Sequence, residues 1–199
     1  MRLFRLALEE NSDGKFFKEI EYEYYCRITD LSQLDNASSK EAHEQWEIKI
    51  PKADDNVGEG RIRVRKTTFA DGRIEYVQTT KSILKKDNAR IEVPILTTED
   101  GFKQFMILSN AGMIKDRYCF NSGDFVFEVD MFKKPDGSYC EWCKIDIEVP
   151  TADTVIPELP IVVENLITNQ KYKRTPEEIE LLDKLYETEF LTKNPYLRE

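Results

Sequence analysis

The sequence predicts an α+β fold that is mostly β, with antiparallel strands closing into an eight-stranded barrel and a few covering helices, one of them C-terminal. About eight runs are rich in β-branched and aromatic residues and alternate apolar with polar positions. Dipeptides that favour tight turns separate several of these runs. Clear helical spacing is confined to two places. Strands therefore outnumber helices, and neighbouring strands are joined by hairpins.

The strand-like runs follow one another along most of the chain. Asp71-Gly72 separates the third from the fourth, residues 121–124 the sixth from the seventh, and residues 135–137 the seventh from the eighth. We expect the strands at residues 16–27, 45–50, 60–69, 73–82, 88–95, 114–121, 124–133 and 138–149.

Helical signals come later in the chain. One helix is expected from Thr98 to about Leu108, where apolar residues recur at helical spacing. A second begins after Thr175, which can cap it, with Pro176 at the first helical position and acidic residues in the first turn. A weak third helix is expected between 31 and 43. Residues 150–168 are expected to form an extended connection. The helix after Thr175 is expected to pack on the barrel.

Composition limits the class of protein. The chain has 199 residues and a formal net charge of −9, which favours one domain over residues 1–199 and disfavours contact with long nucleic acids. The barrel would occupy about 16–150, and the C-terminal connection and helix about 151–199. No apolar run reaches the ~20 residues of a membrane-spanning helix. We find no export signal, so a cytoplasmic location is expected.

The four cysteines are expected to be reduced, because thiols stay reduced in the cytoplasm. Cys140 and Cys143 form a CxxC pair, but a zinc site would need a second pair or suitably spaced histidines. Two ordinary thiols at a hairpin are the favoured interpretation, with a redox or zinc role as the alternative. His43, in a polar stretch, is expected to be exposed and without a catalytic role.

Charges of one sign gather on one face of single strands. Glu19, Glu21 and Glu23 alternate with apolar residues, and so do three arginines at 61, 63 and 65. Side chains at alternate positions of a strand share a face, and like charges in a row repel one another unless something compensates them. The segregated charges and the alternation continue in Lys115 and Arg117, in Glu128 and Asp130, and in Lys144, Asp146 and Glu148.

Two interpretations of this pattern remain open. In the first, the charged positions form the solvated face of an ordinary antiparallel sheet. In the second, the sheet closes into a barrel whose charged faces point inward and line a tunnel. In that tunnel the cations would hold a polyanion, and the carboxylates would hold Mg²⁺ or Mn²⁺.

These motifs, taken in order, resemble the CYTH-type triphosphate tunnel metalloenzymes. The first run resembles the family's ExExK signature, with Glu23 in place of the lysine, and Pro94 stands where another acidic residue often follows Glu92. The resemblance covers roughly residues 16–190. It is carried by Glu19-Ile20-Glu21-Tyr22-Glu23, Ile62-Arg63-Val64-Arg65-Lys66, the strand ending at Lys81, Arg90-Ile91-Glu92, Lys115-Asp116-Arg117, residues 127–132, residues 144–149 and residues 164–168.

The resemblance implies a tunnel in which water attacks the terminal phosphate of a triphosphate. Its implied metal ligands for Mg²⁺ or Mn²⁺ are Glu19, Glu21, Asp146 and Glu148, with Asp130 and Glu128 for a second metal or an outer role. The residues implied to act in catalysis are Glu21, Glu148 and Lys81. Those implied to bind phosphate are Arg63, Arg65, Lys81, Arg90, Lys115 and Arg117.

The resemblance leaves the substrate and reaction open. The expected partner is a small triphosphate, with an RNA 5′-triphosphate end as a less favoured one. A module that binds a nucleotide or polyphosphate without turnover, and an adenylate cyclase, are alternatives. The binding module is suggested by Glu23, which stands where the family has a lysine. Alternatively, Glu23 only pairs with Arg65 or Lys81. Lys144, in turn, would neutralise Glu128 rather than contact a substrate.

Overall fold

The computed structural model describes residues 17–19, 21–50, 60–83, 90–151, 153–168 and 174–194. Strands dominate these residues. The described part of the chain contains eleven strands: β1 (Phe17–Glu19), β2 (Glu21–Arg27), β3 (Ser39–Ile50), β4 (Gly60–Phe69), β5 (Ile74–Ile83), β6 (Arg90–Leu96), β7 (Ala111–Ser122), β8 (Phe125–Lys133), β9 (Tyr139–Glu148), β10 (Glu164–Thr168) and β11 (Thr192–Lys193).

Helices are short and few among the described residues. A 3₁₀-helix spans Leu31–Asn36, α1 spans Glu99–Leu108 and α2 spans Pro176–Leu185, which continues into a π-helical turn at Tyr186–Phe190. The Thr98 side chain accepts a hydrogen bond at the start of α1. Thr175 and Glu178 form a capping box at the start of α2, with Pro176 in its first turn. Both predicted helices are therefore confirmed, as is the mostly β, α+β class.

All strands belong to one antiparallel sheet in the order β1-β6-β5-β4-β3-β7-β8-β9-β2-β10, with β11 paired to β7. No ladder joins the two ends of this order among the described residues, so the closed barrel is not confirmed. β1 and β2 nevertheless follow each other in the sequence, separated by one residue. β1 pairs with β6, and β2 pairs with β9.

Several predicted boundaries were wrong. The third helix does not extend to residue 43, because only Leu31–Asn36 is helical and β3 already begins at Ser39. Alternation in this stretch is hidden, since all side chains of β3 between Ser39 and Gln45 except Ala42 are polar. β7 begins at Ala111 rather than 114, and the connection at 150–168 ends in the short strand β10. The turns at Gly72 (φ 81°) and Gly137 (φ 85°) are present as predicted.

The two faces of the sheet have different chemistry. On one face of β2, β8 and β9, apolar residues such as Cys26, Val129 and Ile145 pack together with Ile161 of the connection. On the same side of β3 and β4, Trp46 and Val64 pack against Phe102 of α1. The opposite face carries the charged motifs predicted from the sequence.

The charged face is not simply solvated. Asp130 is 0% exposed, Asp146 3% and Lys115 7%. An ordinary water-covered sheet face would leave such side chains in solvent. The solvated-sheet interpretation is therefore wrong for these residues.

Candidate active site

The strand registers place the predicted site residues on one face of the sheet. Glu21 lies opposite Glu148, and Glu23 lies opposite Asp146, across β2 and β9. Arg117 of β7 lies opposite Asp130 of β8. The face continues through β3 and β4 to Lys81 of β5, which lies opposite Glu92 of β6. The sequence pattern is therefore brought together as one continuous charged surface.

Three carboxylates form a compact acidic cluster at one side of this surface. One ligand oxygen from each of Glu21, Glu23 and Asp146 lies within 4.8 Å of the others. Burial raises the pKa of Asp146 well above its usual value, and the charges of Glu21 and Asp130 raise it further against the opposing effect of Lys144. Ionising all three carboxylates is therefore unfavourable, and a bound cation would relieve that cost.

Lys144 partly compensates the cluster. Its Nζ lies 2.9 Å from Asp146 Oδ1 and 3.3 Å from Glu23 Oε1. Burial alone would lower the pKa of Lys144, but Asp146, Glu23 and Glu21 together raise it well above its usual value. Lys144 therefore stays charged and acts as the internal counterion of the acidic cluster. The contact between Lys144 and Glu23 was not predicted from the sequence. The sequence suggested Glu128 as the partner of Lys144, and Arg65 or Lys81 as the partner of Glu23.

A basic group lies next to the acidic cluster and is organised by Asp130. Arg117 donates to Asp130 Oδ1 through Nε (2.7 Å) and to Oδ2 through Nη2 (2.8 Å), and Lys115 also donates to Oδ2. Burial would raise the pKa of Asp130, but Arg117 and Lys115 outweigh it and hold that pKa below its usual range. Asp130 is thus an ionised anchor that orients two cations.

Arg117 links the two groups. Its Nη1 donates to Glu128, and its Nη2 lies 3.6 Å from Asp146 Oδ2. One guanidinium therefore contacts a carboxylate of the acidic cluster, the anchor Asp130 and Glu128. Such a planar, five-donor group holds its contacts in fixed directions.

The arginines of β4 add further positive charge. Burial, followed by the charges of Arg63 and Arg117, lowers the pKa of Arg65 to about 10. The Arg65 Nε atom is buried and has no hydrogen-bond partner in the part of the chain that the structure describes. Three arginines and Lys115 thus share a region that repels further cations and attracts an anion.

Other predicted residues lie toward the margins. Lys81 forms an ion pair with the buried Glu92. Glu148 is exposed at the end of β9. Glu19 and Arg90 are opposite each other in the β1–β6 register. The positions of their side chains lie outside what the structure describes.

His43 is the functional candidate that sequence reasoning missed. It was expected to be exposed but is 2% exposed, on the charged face of β3. The error follows from the misplaced helix: once β3 begins at Ser39, alternation puts residues 41, 43 and 45 on one face. Burial, together with Arg65, Arg117 and Lys115, lowers the pKa of His43 far below its usual value, so the imidazole is neutral.

The C-terminal helix closes one end of the charged face. Tyr25 and Phe132 lie at this end, and both pack against Phe190 of the π-helical turn. The ring centroids of Phe132 and Phe190 are 4.1 Å apart. The hydroxyl groups of Tyr25 and Tyr186 lie 2.6 Å apart. Leu182 and Leu185 are buried in the same cluster, while Ile179 remains exposed. This end of the face is therefore apolar and covered.

The CxxC pair does not form a joint site. Cys143 Sγ lies 3.4 Å from Cys26 Sγ, whereas Cys140 donates to the Glu189 carbonyl. All four cysteines are free. The favoured interpretation of separate thiols agrees with this geometry.

Comparisons with known proteins give remote structural similarity. No family model matches the sequence, and neither does any curated protein. Among solved structures, the inorganic triphosphatase NE1496 is 18% identical, with 81% of this chain and 93% of that chain covered and a TM-score of 0.42. The putative adenylyl cyclase HpAC1 from Hippeastrum, described as having a dominant triphosphatase activity, is 12% identical, with 90% and 93% covered and a TM-score of 0.40.

A putative adenylate cyclase from Bacillus halodurans is 10% identical, with 92% of this chain and 96% of that chain covered and a TM-score of 0.43. None of the helices in the described residues has the length and apolar character to cross a membrane.

Proposed function

We propose that this protein is a divalent-metal-dependent phosphohydrolase that cleaves the terminal phosphate from a small triphosphate. The observation that carries the proposal is the division of one buried face into an acidic and a basic half. The acidic half is the cluster of Glu21, Glu23 and Asp146. The basic half contains Lys115 and Arg117, and Arg117 contacts both halves. Phosphoryl transfer needs these two parts side by side, because positioning and charge neutralisation supply most of its catalysis.

The face is proposed to line a closed tunnel. β1 forms one end of the sheet order and β2 lies next to the other end, and only one residue separates β1 from β2 along the chain. β1 and β2, following each other along the chain, would therefore join β6 to β9. The burial of Asp130, Asp146 and Lys115 supports this arrangement, since charged side chains on an open sheet face would lie in solvent.

The metal is proposed to bind at the acidic cluster. Its ligands are Glu21 and Asp146, completed by Glu19 of β1 and Glu148 of β9, and Glu23 takes the place of the lysine found in the family's signature. The fit rests on chemistry, since carboxylate oxygens are the ligands that hard cations prefer. When bound, Mg²⁺ or Mn²⁺ neutralises phosphate oxygens and activates water.

The basic half is proposed to bind the phosphates. Arg63, Arg65, Lys115 and Arg117 face the same region, and Lys81 and Arg90 extend it toward β6. Asp130 acts here as the counterion that holds Lys115 and Arg117 in place rather than as a metal ligand. An incoming phosphate would take over contacts that the guanidinium of Arg117 now makes with carboxylates.

The proposal is tested with matched carboxylate variants. Phosphate release from inorganic triphosphate is measured in Mg²⁺ for the wild type, Glu21→Gln and Asp146→Asn. The control is Glu180→Gln, an exposed glutamate of α2. We expect at least about a hundredfold loss in the two site variants, with the control unchanged. Full activity in Glu21→Gln and Asp146→Asn would contradict the assigned site.

A binding module is the second candidate, and one observation favours it. In the resting structure Asp130 engages both Lys115 and Arg117, so an anion must compete with a buried carboxylate for them. A protein that only senses polyphosphates would tolerate that competition. Thermal stabilisation by triphosphate without phosphate release in any metal would identify this function.

A further inference from the structure

The only histidine of the chain lies inside the basic half. His43 of β3 stands directly opposite Lys115 of β7 and Thr67 of β4. Its side chain is almost completely buried. A buried imidazole must satisfy two ring nitrogens, and each can either donate or accept one hydrogen bond.

The contact of one nitrogen fixes the role of the other. His43 Nε2 lies 3.0 Å from Glu41 Oε2. An ionised carboxylate only accepts, so Nε2 carries the hydrogen and donates it to Glu41. In the neutral ring Nδ1 is then a bare acceptor. Nδ1 is buried and has no hydrogen-bond partner among the described residues. The basic half therefore contains a buried acceptor that a ligand could satisfy with a hydrogen-bond donor.

The charges around the ring explain why it is neutral without a ligand. Arg65 faces it from β4 and Lys115 and Arg117 face it from β7, against Asp130 of β8 and Glu41 of its own strand. Burial and these three cations oppose a further positive charge. An arriving polyanion reverses that balance, because its negative charge favours a proton at this place.

We propose that a triphosphate binds here with a proton held between His43 Nδ1 and a phosphate oxygen, so that binding takes up one proton from solvent. This inference rests on the proposed function. A bare nitrogen and an ionised phosphate oxygen are both acceptors and repel each other, whereas N···H–O–P or N–H···O–P is a hydrogen bond. No bond to phosphorus changes in this step. The Glu41–His43 pair thus makes the affinity of the site depend on pH.

Two consequences distinguish this pair from a structural one. Above about pH 6–7, where the terminal phosphate is ionised in solution, Kd should rise about tenfold for each pH unit. In Glu41→Gln the amide can donate to Nε2, so that the hydrogen moves to Nδ1 and meets an ionised phosphate directly. That variant should keep triphosphate binding and lose the proton uptake.

The experiment combines two measurements on the full chain. Nitrogen NMR of the protein labelled in histidine reports the tautomer without assignment, since one histidine is present. Calorimetry with inorganic triphosphate in EDTA, in two buffers with different ionisation heats, counts the protons. The variants are Glu41→Gln and His43→Asn, with Glu180→Gln as the control and melting temperatures to verify folding.

We expect a neutral Nε2–H ring in the free protein, about one proton taken up per triphosphate in the wild type and control, and almost none in the two variants. A hydrogen on Nδ1 in the free protein, or equal heats in both buffers, would overturn the inference. So would turnover in Mg²⁺ without binding in EDTA, because the basic half would then not bind the anion by itself. No binding in EDTA together with no phosphate release in Mg²⁺ would instead overturn the proposed function.

Discussion

Replacing Asp130 by Asn tests the idea that this carboxylate anchors the basic half. Asp130 is 0% exposed and accepts hydrogen bonds from both Lys115 and Arg117. The amide keeps the shape of the side chain but removes the charge that two buried cations face. Breaking a buried ion pair by removing one partner costs about 3–5 kcal/mol.

The free energy of unfolding that Asp130→Asn loses should lie in the lower part of that range. Arg117 keeps Glu128 and a second carboxylate at 3.6 Å, whereas Lys115 has no other ion pair among those the structure shows within 4.0 Å. We therefore expect Asp130→Asn to lower the free energy of unfolding by about 3 kcal/mol. For a chain of this length that is a fall in melting temperature of roughly 6–12 °C.

The assay is thermal unfolding with and without inorganic triphosphate. The anion should stabilise Asp130→Asn more than the wild type, because it supplies the negative charge that the variant lacks. Asp153→Asn, an exposed aspartate of the connection, is the matched control and should melt like the wild type. A change below about 1 kcal/mol in Asp130→Asn, or equal stabilisation of both proteins by triphosphate, would refute the anchoring role.

Three further predictions concern the acidic cluster and the covered end. Because the pKa of Asp146 is raised in the folded state, the folded protein binds more protons than the unfolded chain, so metal-free stability should fall as the pH rises from about 4, the ordinary pKa of an aspartate; chemical denaturation at each pH measures this, and a rise would contradict it. Lys144→Gln removes the internal counterion, so Mg²⁺ should bind about tenfold more tightly, equivalent to ~1.4 kcal/mol; weaker binding in calorimetry would show that Lys144 supports the ligands. Phe190→Ala should cost about 3–5 kcal/mol of unfolding free energy, since Phe190 is 1% exposed and stacks on Phe132; a melting temperature equal to that of the wild type would rule out this packing role.

Much of the fold follows from local pattern. Alternation and turn residues predicted β4, β5, β8 and β9 closely, because each begins or ends near a glycine turn or a proline. The start of β3 was not predicted, for the opposite reason. Between Ser39 and Gln45 nearly every side chain is polar, and a strand with two polar faces has no hydrophobic period to detect.

The sequence predicted which residues share the charged face but not how they pair. Alternation alone places Glu21, Asp146 and Arg117 on charged faces, but the register that brings β2 beside β9 is a long-range property of the sheet. The contacts of Lys144 with Glu23 and Asp146 depend on that register. His43 was missed because its burial depends on β3 lying between β4 and β7, which nothing in its own neighbourhood indicates.

The measurement that tests the central claim most directly is the product analysis of the wild-type protein with inorganic triphosphate, ATP, GTP and thiamine triphosphate, in Mg²⁺, Mn²⁺ or EDTA. Chromatography separates phosphate and the shortened product from pyrophosphate and cyclic nucleotide. The proposed function predicts phosphate release from at least one of these substrates in Mg²⁺ or Mn²⁺, and none in EDTA. Release that persists in EDTA, or cyclic nucleotide with pyrophosphate as the products, would contradict it.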